Sequence, residues 1–172
     1  SLAVIPPAIA ANKLGKMKLN NLGKVFNSLK SNFGIVVADG AACLGDEALF
    51  LMKYSDEVVL VTTPDMPAVK DVQQTLEAAR KLKVQPLGII LNKVHNKKHE
   101  LTVREVESIV DLPVIAEIPY DIKVKKAVFE GMPVIQHSPR SKASLELKDL
   151  ARMLSGGERQ TTWWDRVLGV FG

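Results

Sequence analysis

The sequence predicts an α/β fold in which a mostly parallel sheet carries helices on both faces. Two observations predict it: short apolar runs alternate with longer segments of helical period, and most of the runs are apolar at consecutive positions. Continuous apolar strands are typical of parallel sheets, because helices cover both faces. The 172 residues are enough for one domain with a single core.

The apolar runs are the predicted strands, and they occupy residues 2–5, 35–38, 58–61, 87–91, 114–118 and 134–135. Helices are predicted between them at 46–52 and where apolar side chains form core stripes, at Leu22, Val25, Phe26 and Leu29 and at Val69, Val72, Leu76, Ala79 and Leu82. Asp121 and Ser141 are predicted to cap two more helices, over 122–130 and 142–154.

The end of the chain differs from the rest in composition. Residues 1–154 read as the domain, 155–162 as a flexible linker and 163–172 as an amphipathic tail. On a helix, the tail's apolar residues share one half of the surface: Trp163, Trp164, Val167, Leu168, Val170 and Phe171. We expect this face to meet a membrane surface, and the alternative is packing on the domain or on a second copy.

The composition excludes several classes of protein. Cys43 is the only cysteine, so the chain can form neither an internal disulfide nor a zinc or iron–sulfur site built on its own cysteines. No apolar run reaches the roughly 18 residues of a membrane span, and no secretion signal is present, so we expect a cytoplasmic protein. The net charge is +4, but the lysines are dispersed, so no nucleic-acid-binding patch is predicted.

Polar residues that follow strands are the candidate site, because ligands bind beyond the carboxyl ends of parallel strands. Asp39 opens a loop of small residues, and its carboxylate suits hydrated Mg²⁺; the alternative is a cap or turn. Asn92 ends another run, and its amide can both donate to and accept from a base edge; the alternative is a turn residue. Pro119 and Asp121 end a third run, where the alternative is helix capping.

These motifs occur in a recognisable order. The runs IVVADGAACLGDEAL, DEVVLVTTPDMPAVKDV, LGIILNKV, VIAEIPYD and VKKAVFEGMPVI resemble the MinD-like branch of the ParA family, over most of residues 1–154. The members of this family are dimer-forming ATPases with a deviant Walker A loop. The resemblance implies a P-loop NTPase-like fold, incomplete at its N-terminus, with ATP and Mg²⁺ as ligands.

The resemblance also implies roles for single residues. Asp39 matches the catalytic acidic residue that helps to hold the attacking water and, through water, the Mg²⁺ ion. The rest of the second switch is matched by Gly40, Ala41, Ala42, Cys43, Leu44 and Gly45. Asn92 matches the asparagine that reads adenine, and Pro119 and Asp121 match the loop that closes over the base.

The sequence departs from the family pattern at two places. Cys43 stands where the family has glycine, so its Cβ occupies space near the γ-phosphate position. No G-x-x-x-x-G-K-[ST] run occurs, so the chain has neither the amide cradle nor the lysine that binds the phosphates. We therefore expect that the chain begins inside a longer protein, and that by itself it turns over ATP negligibly.

The resemblance implies part of an ATPase that dimerises with ATP, docks through its tail on the inner membrane face and positions cell division. A regulatory protein partner is also expected. One alternative is a ParA-like partition ATPase that binds DNA non-specifically, and another is a non-catalytic membrane adaptor.

Overall fold

A computed structural model describes residue 4, residues 19–40 and residues 45–156 of the chain. The described residues fall into two compact units, one within 1–40 and one within 41–172. The first unit contains helix α1 (Leu19–Asn32), followed by backbone without regular secondary structure through residue 40. All the strands among the described residues belong to the second unit.

The second unit is built on a three-stranded sheet. Its elements in chain order are α2 (Asp46–Tyr54), β1 (Glu57–Thr62), α3 (Met66–Lys81), β2 (Gln85–Val94), α4 (Val103–Val110), β3 (Val114–Pro119), α5 (Ile122–Phe129), α6 (Val134–His137) and α7 (Lys142–Leu154). The strand order is β1-β2-β3, and both neighbouring pairs are parallel. The predicted parallel α/β fold is therefore confirmed.

Helices cover both faces of this sheet, as the continuous apolar strands predict. On one face, α3 and α4 pack on Leu60, Ile89 and Leu91. On the other face, α7 packs on β3 around Ile90 and Ala116. Helix α3 buries four of the five predicted stripe residues, each at most 7% exposed: Val69, Val72, Leu76 and Ala79. The fifth, Leu82, is the C-cap of the helix and is 37% exposed.

Side-chain caps fix where the helices begin. The Asp65 carboxylate accepts from the Ala68 N–H at 3.1 Å at the start of α3. Thr102 and Glu105 form a reciprocal capping box on α4. The predicted caps are both confirmed, because Asp121 accepts from the Lys123 N–H and Ser141 from the Ser144 N–H.

Gly88 allows β2 and β3 to approach each other closely. A Cβ at this position would lie 2.9 Å from the Pro113 carbonyl oxygen and 2.3 Å from Cγ2 of Ile115. The register of β1 against β2 shifts beside it, between Val58 and Val59. A side chain at position 88 would therefore force the backbone of two strands apart.

Two predicted strands are wrong in the described residues. Val134 and Ile135 lie in α6 because Pro133 begins a helical turn, and the His137 N–H donates to the Pro133 carbonyl at 3.0 Å. Residues 35–38 form no strand, since no neighbouring strand pairs with them in the described part of the chain. The predicted strand at 2–5 lies outside the described residues except for residue 4.

The predicted core stripe of α1 is only partly observed. The helix forms, but Val25 is 40% exposed, and Phe26 and Leu29 are half-buried. The side chain of Leu22 lies outside the description. In the residues described, no helix is both long enough and apolar enough to cross a membrane.

Candidate functional site at the carboxyl edge of the sheet

Asn92 lies near the carboxyl end of β2, where the strand bulges. The pairing register with β3 shifts between Asn92 and Val94, and Lys93 between them adopts the left-handed conformation with φ 59°. Bulges of this kind redirect a side chain and are frequent beside functional sites. The Asn92 Oδ1 atom accepts from the Lys93 N–H at 2.9 Å, so the orientation of the amide is fixed and its NH₂ group points away from this contact.

The loop of residues 119–121 lies at the same edge of the sheet. Asn92 pairs with Ile118 in the strand register, and Val94 pairs with Pro119. One residue further on, the Tyr120 N–H donates to the Val94 carbonyl at 2.9 Å. The fold thus brings together Asn92 and Pro119, two residues that are 27 positions apart in the sequence.

The Asp121 carboxylate is occupied by hydrogen bonds within the fold. It accepts from the Lys123 N–H at 2.9 Å, and also from the Ser141 hydroxyl and the Ala143 N–H. Partial burial alone would raise the pKa of Asp121, but these hydrogen bonds and the nearby Lys123 charge hold it below its ordinary value. Asp121 therefore connects the starts of α5 and α7, and its carboxylate stabilises the conformation of the loop.

A ring stack connects the loops that follow β2 and β3. The His95 and Tyr120 rings are stacked with centroids 4.5 Å apart and an interplanar angle of 20°. The Lys125 Nζ atom lies 5.4 Å from the Tyr120 centroid, on which a cation is weakly attracted. The stack adds a side-chain contact to the single backbone hydrogen bond between these loops.

Glu100 holds His95 in place. Its carboxylate accepts from the His95 N–H at 3.0 Å, from the Lys97 N–H at 3.1 Å and contacts His95 Nδ1 at 2.9 Å. Burial opposes the charge, but the hydrogen bonds from Lys97 and His95 lower the pKa of Glu100 below its ordinary value. The carboxylate is therefore ionised near neutral pH and organises the turn after Asn92.

Sequence reasoning missed the bulge, the ring stack and the Glu100 contacts. The loop sequence His95-Asn96-Lys97-Lys98-His99-Glu100 reads as solvated charge. Nothing in its spacing indicates that Tyr120, 25 positions after His95, would lie against the His95 ring. The signal that could have indicated these contacts is Glu100 itself, since it is the only acidic residue in residues 95–100.

The other predicted site residues are described in part. Asp39 and Gly40 are exposed and lie outside regular secondary structure in the first unit, and Gly45 is the N-cap of α2. The remaining switch residues and the whole tail lie outside the described residues: Ala41, Ala42, Cys43, Leu44, Trp163, Trp164, Val167, Leu168, Val170 and Phe171. Where the chain is described, no group of three or more His, Cys, Asp or Glu side chains could hold a metal ion.

The arrangement around Asn92 fits a planar, hydrogen-bonding ligand. A fixed amide presents donors and an acceptor lone pair at the end of β2, and the Pro119 loop lies on the neighbouring strand. A nucleobase edge has complementary donors and acceptors. These residues could therefore hold the base of a nucleotide.

Comparison with known proteins identifies relatives of this fold. The family profile described as AAA domain matches residues 3–128. An uncharacterised ATP-binding protein of Methanocaldococcus jannaschii is 28% identical over 155 residues, which cover 90% of this chain and 59% of that protein.

Two solved structures are also similar. The cell division ATPase MinD of Pyrococcus furiosus superimposes with a TM-score of 0.76 at 25% identity, covering 85% of this chain and 62% of the other. The septum site-determining protein MinD of Pyrococcus horikoshii, complexed with Mg-ADP, gives 0.74 at 26% identity, covering 85% and 61%. The chain thus spans about 60% of the length of these relatives. The chain belongs to the AAA domain family, and in sequence and fold it is similar to MinD proteins.

Proposed function

We propose that this chain is part of an ATPase of the MinD type and that Asn92 reads the adenine base. The observation that carries the proposal is the position of Asn92 beside Pro119 at the carboxyl edge of a parallel sheet. The Lys93 N–H fixes the amide, so its NH₂ group and remaining lone pair are free to face a base edge. The His95–Tyr120 stack and Asp121 keep the closing loop in place.

Asp39 is the proposed catalytic residue, and it would hold Mg²⁺ through water while it orients the attacking water. When bound, Mg²⁺ would neutralise the negative charge that develops on the phosphates during hydrolysis. An exposed carboxylate that follows an apolar run is suited to this role, because Mg²⁺ keeps several of its waters and needs few protein ligands. The 172 residues contain no lysine-bearing phosphate loop, so they would turn over ATP negligibly by themselves.

The complete protein would dimerise with ATP and bind the inner membrane face from the cytoplasm. The apolar half of residues 163–172 would dock on lipid, and pairing two such segments would strengthen a weak attachment. A regulatory protein would control the cycle, and the process served would be the positioning of cell division. The named relatives from two Pyrococcus species support this assignment.

The base site can be tested without the phosphates. Adenosine titrated into the ¹⁵N-labelled chain should shift the Asn92 side-chain amide and the Tyr120 backbone signal, whereas guanosine should not. Asn92→Ala should abolish the adenosine response, since it removes the groups that read the base edge. Asn27→Ala, which removes an exposed amide from α1, is the matched control and should leave the response unchanged.

Equal shifts with guanosine, or adenosine shifts that survive Asn92→Ala, would refute the assignment of Asn92. The nucleoside is preferable to ATP for this test because it reports on the base contacts alone. Phosphate binding elsewhere on a basic chain then cannot imitate the expected result.

A further inference from the structure

Helix α5 carries an exposed face that mixes apolar and basic side chains. Phe129 is 92% exposed, which is more than any other large hydrophobic side chain in the described part of the chain. Val128 is 72% exposed and Ile122 52%. Large apolar side chains in such exposed positions on one short helix are a sign of a surface that meets another apolar phase.

The geometry of the helix gathers Phe129, Ile122 and two lysines on one side, and Val128 lies apart from them. At about 100° per residue, Ile122, Lys125, Lys126 and Phe129 fall within an arc of about 100°. We call this arc the α5 face. The opposite side of the helix is the one that packs, since Ala127 is fully buried and Val124 contacts the core beside β3. The α5 face therefore points outward without distorting the packing of the helix.

The charge on the helix is one-sided. Lys123, Lys125 and Lys126 are all exposed, and the eight residues of α5 include no acidic residue. The two flanking acids have other partners: Asp121 accepts hydrogen bonds from both helix starts, and Glu130 Oε2 lies 3.4 Å from His137 Nε2. A positive potential therefore surrounds the exposed apolar groups.

We propose that the α5 face docks on an anionic lipid bilayer, as a membrane contact separate from the tail. Phe129 and Ile122 would enter the headgroup region, and Lys125 and Lys126 would extend to lipid phosphates. The inference rests on the proposed function in one respect, namely that the protein works at a membrane surface. Eight residues give a weak contact, so it would add to the attachment through the tail and would orient the sheet on the bilayer.

Charge and shape favour lipid over the other partners. A two-fold dimer with the α5 faces on its axis would bring the lysines of two α5 faces together, which electrostatic repulsion opposes. Duplex DNA would attract the lysines but would leave Phe129 and Ile122 without a role, since phosphate contacts are made by polar and charged groups. The face is a projecting side of a helix, which suits insertion into a headgroup layer.

The test is co-sedimentation of the 172-residue chain with vesicles of equal parts phosphatidylglycerol and phosphatidylcholine. Phe129→Ser should weaken vesicle binding about tenfold, since it removes the largest apolar group that would enter the bilayer. Val37→Ser is the matched control, because Val37 is 87% exposed but belongs to the first unit, and it should have no effect. Lys125→Glu combined with Lys126→Glu should also weaken binding, and most strongly at low salt.

The same comparison in a Trp163→Ala, Phe171→Ala background separates the α5 face from the tail. Residual binding that still falls with Phe129→Ser supports the proposal. The proposal is overturned if the Phe129→Ser and Val37→Ser variants bind vesicles equally well in both backgrounds, or if vesicles of pure phosphatidylcholine bind the chain as well as the anionic ones. It is also overturned if Phe129→Ser abolishes a dimer seen by ultracentrifugation without changing vesicle binding. The adenosine titration reads the base site independently, so a failure here leaves that result intact. Circular dichroism of each variant checks that the fold is retained.

Discussion

Residues 35–38 and residues 89–91 have nearly the same character in the sequence but different surroundings in the structure. Both are apolar runs, rich in branched residues, that precede a polar one, Asp39 in the first case and Asn92 in the second. Ile89 is fully buried and Leu91 is 1% exposed, whereas Ile35 is 61% exposed and Val37 87%. The difference shows that β-propensity describes how well a residue fits a sheet, and that a neighbouring strand is needed to realise it.

The neighbours account for the contrast. β2 pairs with β1 on one side and with β3 on the other, and α3 and α4 cover it. In the described part of the chain, residues 35–38 pair with no strand. Without a paired strand among the described residues, this segment gains no ladder hydrogen bonds there, so its backbone lies outside regular structure.

The largest test of this contrast removes one side chain from each run. Leu91→Ala should lower the free energy of unfolding by about 2–5 kcal/mol, because it leaves a cavity between β2 and the helices. Val37→Ala should change it by less than about 0.5 kcal/mol. Urea unfolding followed by circular dichroism measures both, and similar losses for the two variants would contradict the contrast.

A second pair of variants tests strand spacing. Gly88→Ala should destabilise the second unit by about 1–3 kcal/mol, because the new methyl would meet the Pro113 carbonyl and the Ile115 side chain. Gly34→Ala is its control, since no atom lies within 4 Å of a Cβ built there. Thermal unfolding gives the order of stabilities. An unchanged midpoint for Gly88→Ala would mean that β2 and β3 can move apart at little cost.

The smallest expected effect is that of a carboxylate. Asp121→Asn should cost about 1 kcal/mol near neutral pH, since it weakens hydrogen bonds that the charged form accepts. The folded pKa of Asp121 is lowered, so its contribution is complete above the unfolded value of about 3.9 and is lost as the pH falls through the folded pKa.

The difference between Asp121→Asn and the unmodified chain should therefore vanish in acid. Asp39→Asn is the matched control, because Asp39 is exposed in the segment that forms no strand. This substitution should leave the free energy of unfolding unchanged. Unfolding free energies measured from pH 3 to pH 7 test this prediction. A difference that is independent of pH would show that the Asp121 charge does not contribute.

The sequence predicted the elements whose signals are local. The caps Asp121 and Ser141 and all of the α3 stripe except Leu82 were predicted correctly, because periodicity and capping depend on residues within a few positions of each other. Val134 and Ile135 were predicted wrongly because two β-branched residues favour a strand by propensity, but Pro133 and the following hydrogen bonds begin a helical turn.

The candidate site was predictable only in outline. Asn92 and Pro119 could be placed at one sheet edge because the carboxyl ends of parallel strands lie together. The bulge at Lys93 and the contact of His95 with Tyr120 depend on the register of β2 against β3 and on loop geometry, and neither follows from residue spacing. The exposure of Phe129 was also not predictable from the sequence, since phenylalanine in a helix is usually a core residue.

The contacts of Tyr120 join the loop after Asn92 to the start of α5. Its N–H is bonded to Val94, its ring lies on His95, and α5 begins two residues later. We expect a ligand at Asn92 that stabilises this ring stack to stabilise the position of α5 as well, and by reciprocity whatever holds α5 would then strengthen binding at Asn92 by the same free energy. Substitution of Tyr120 would weaken this coupling, in addition to any effect on either site alone.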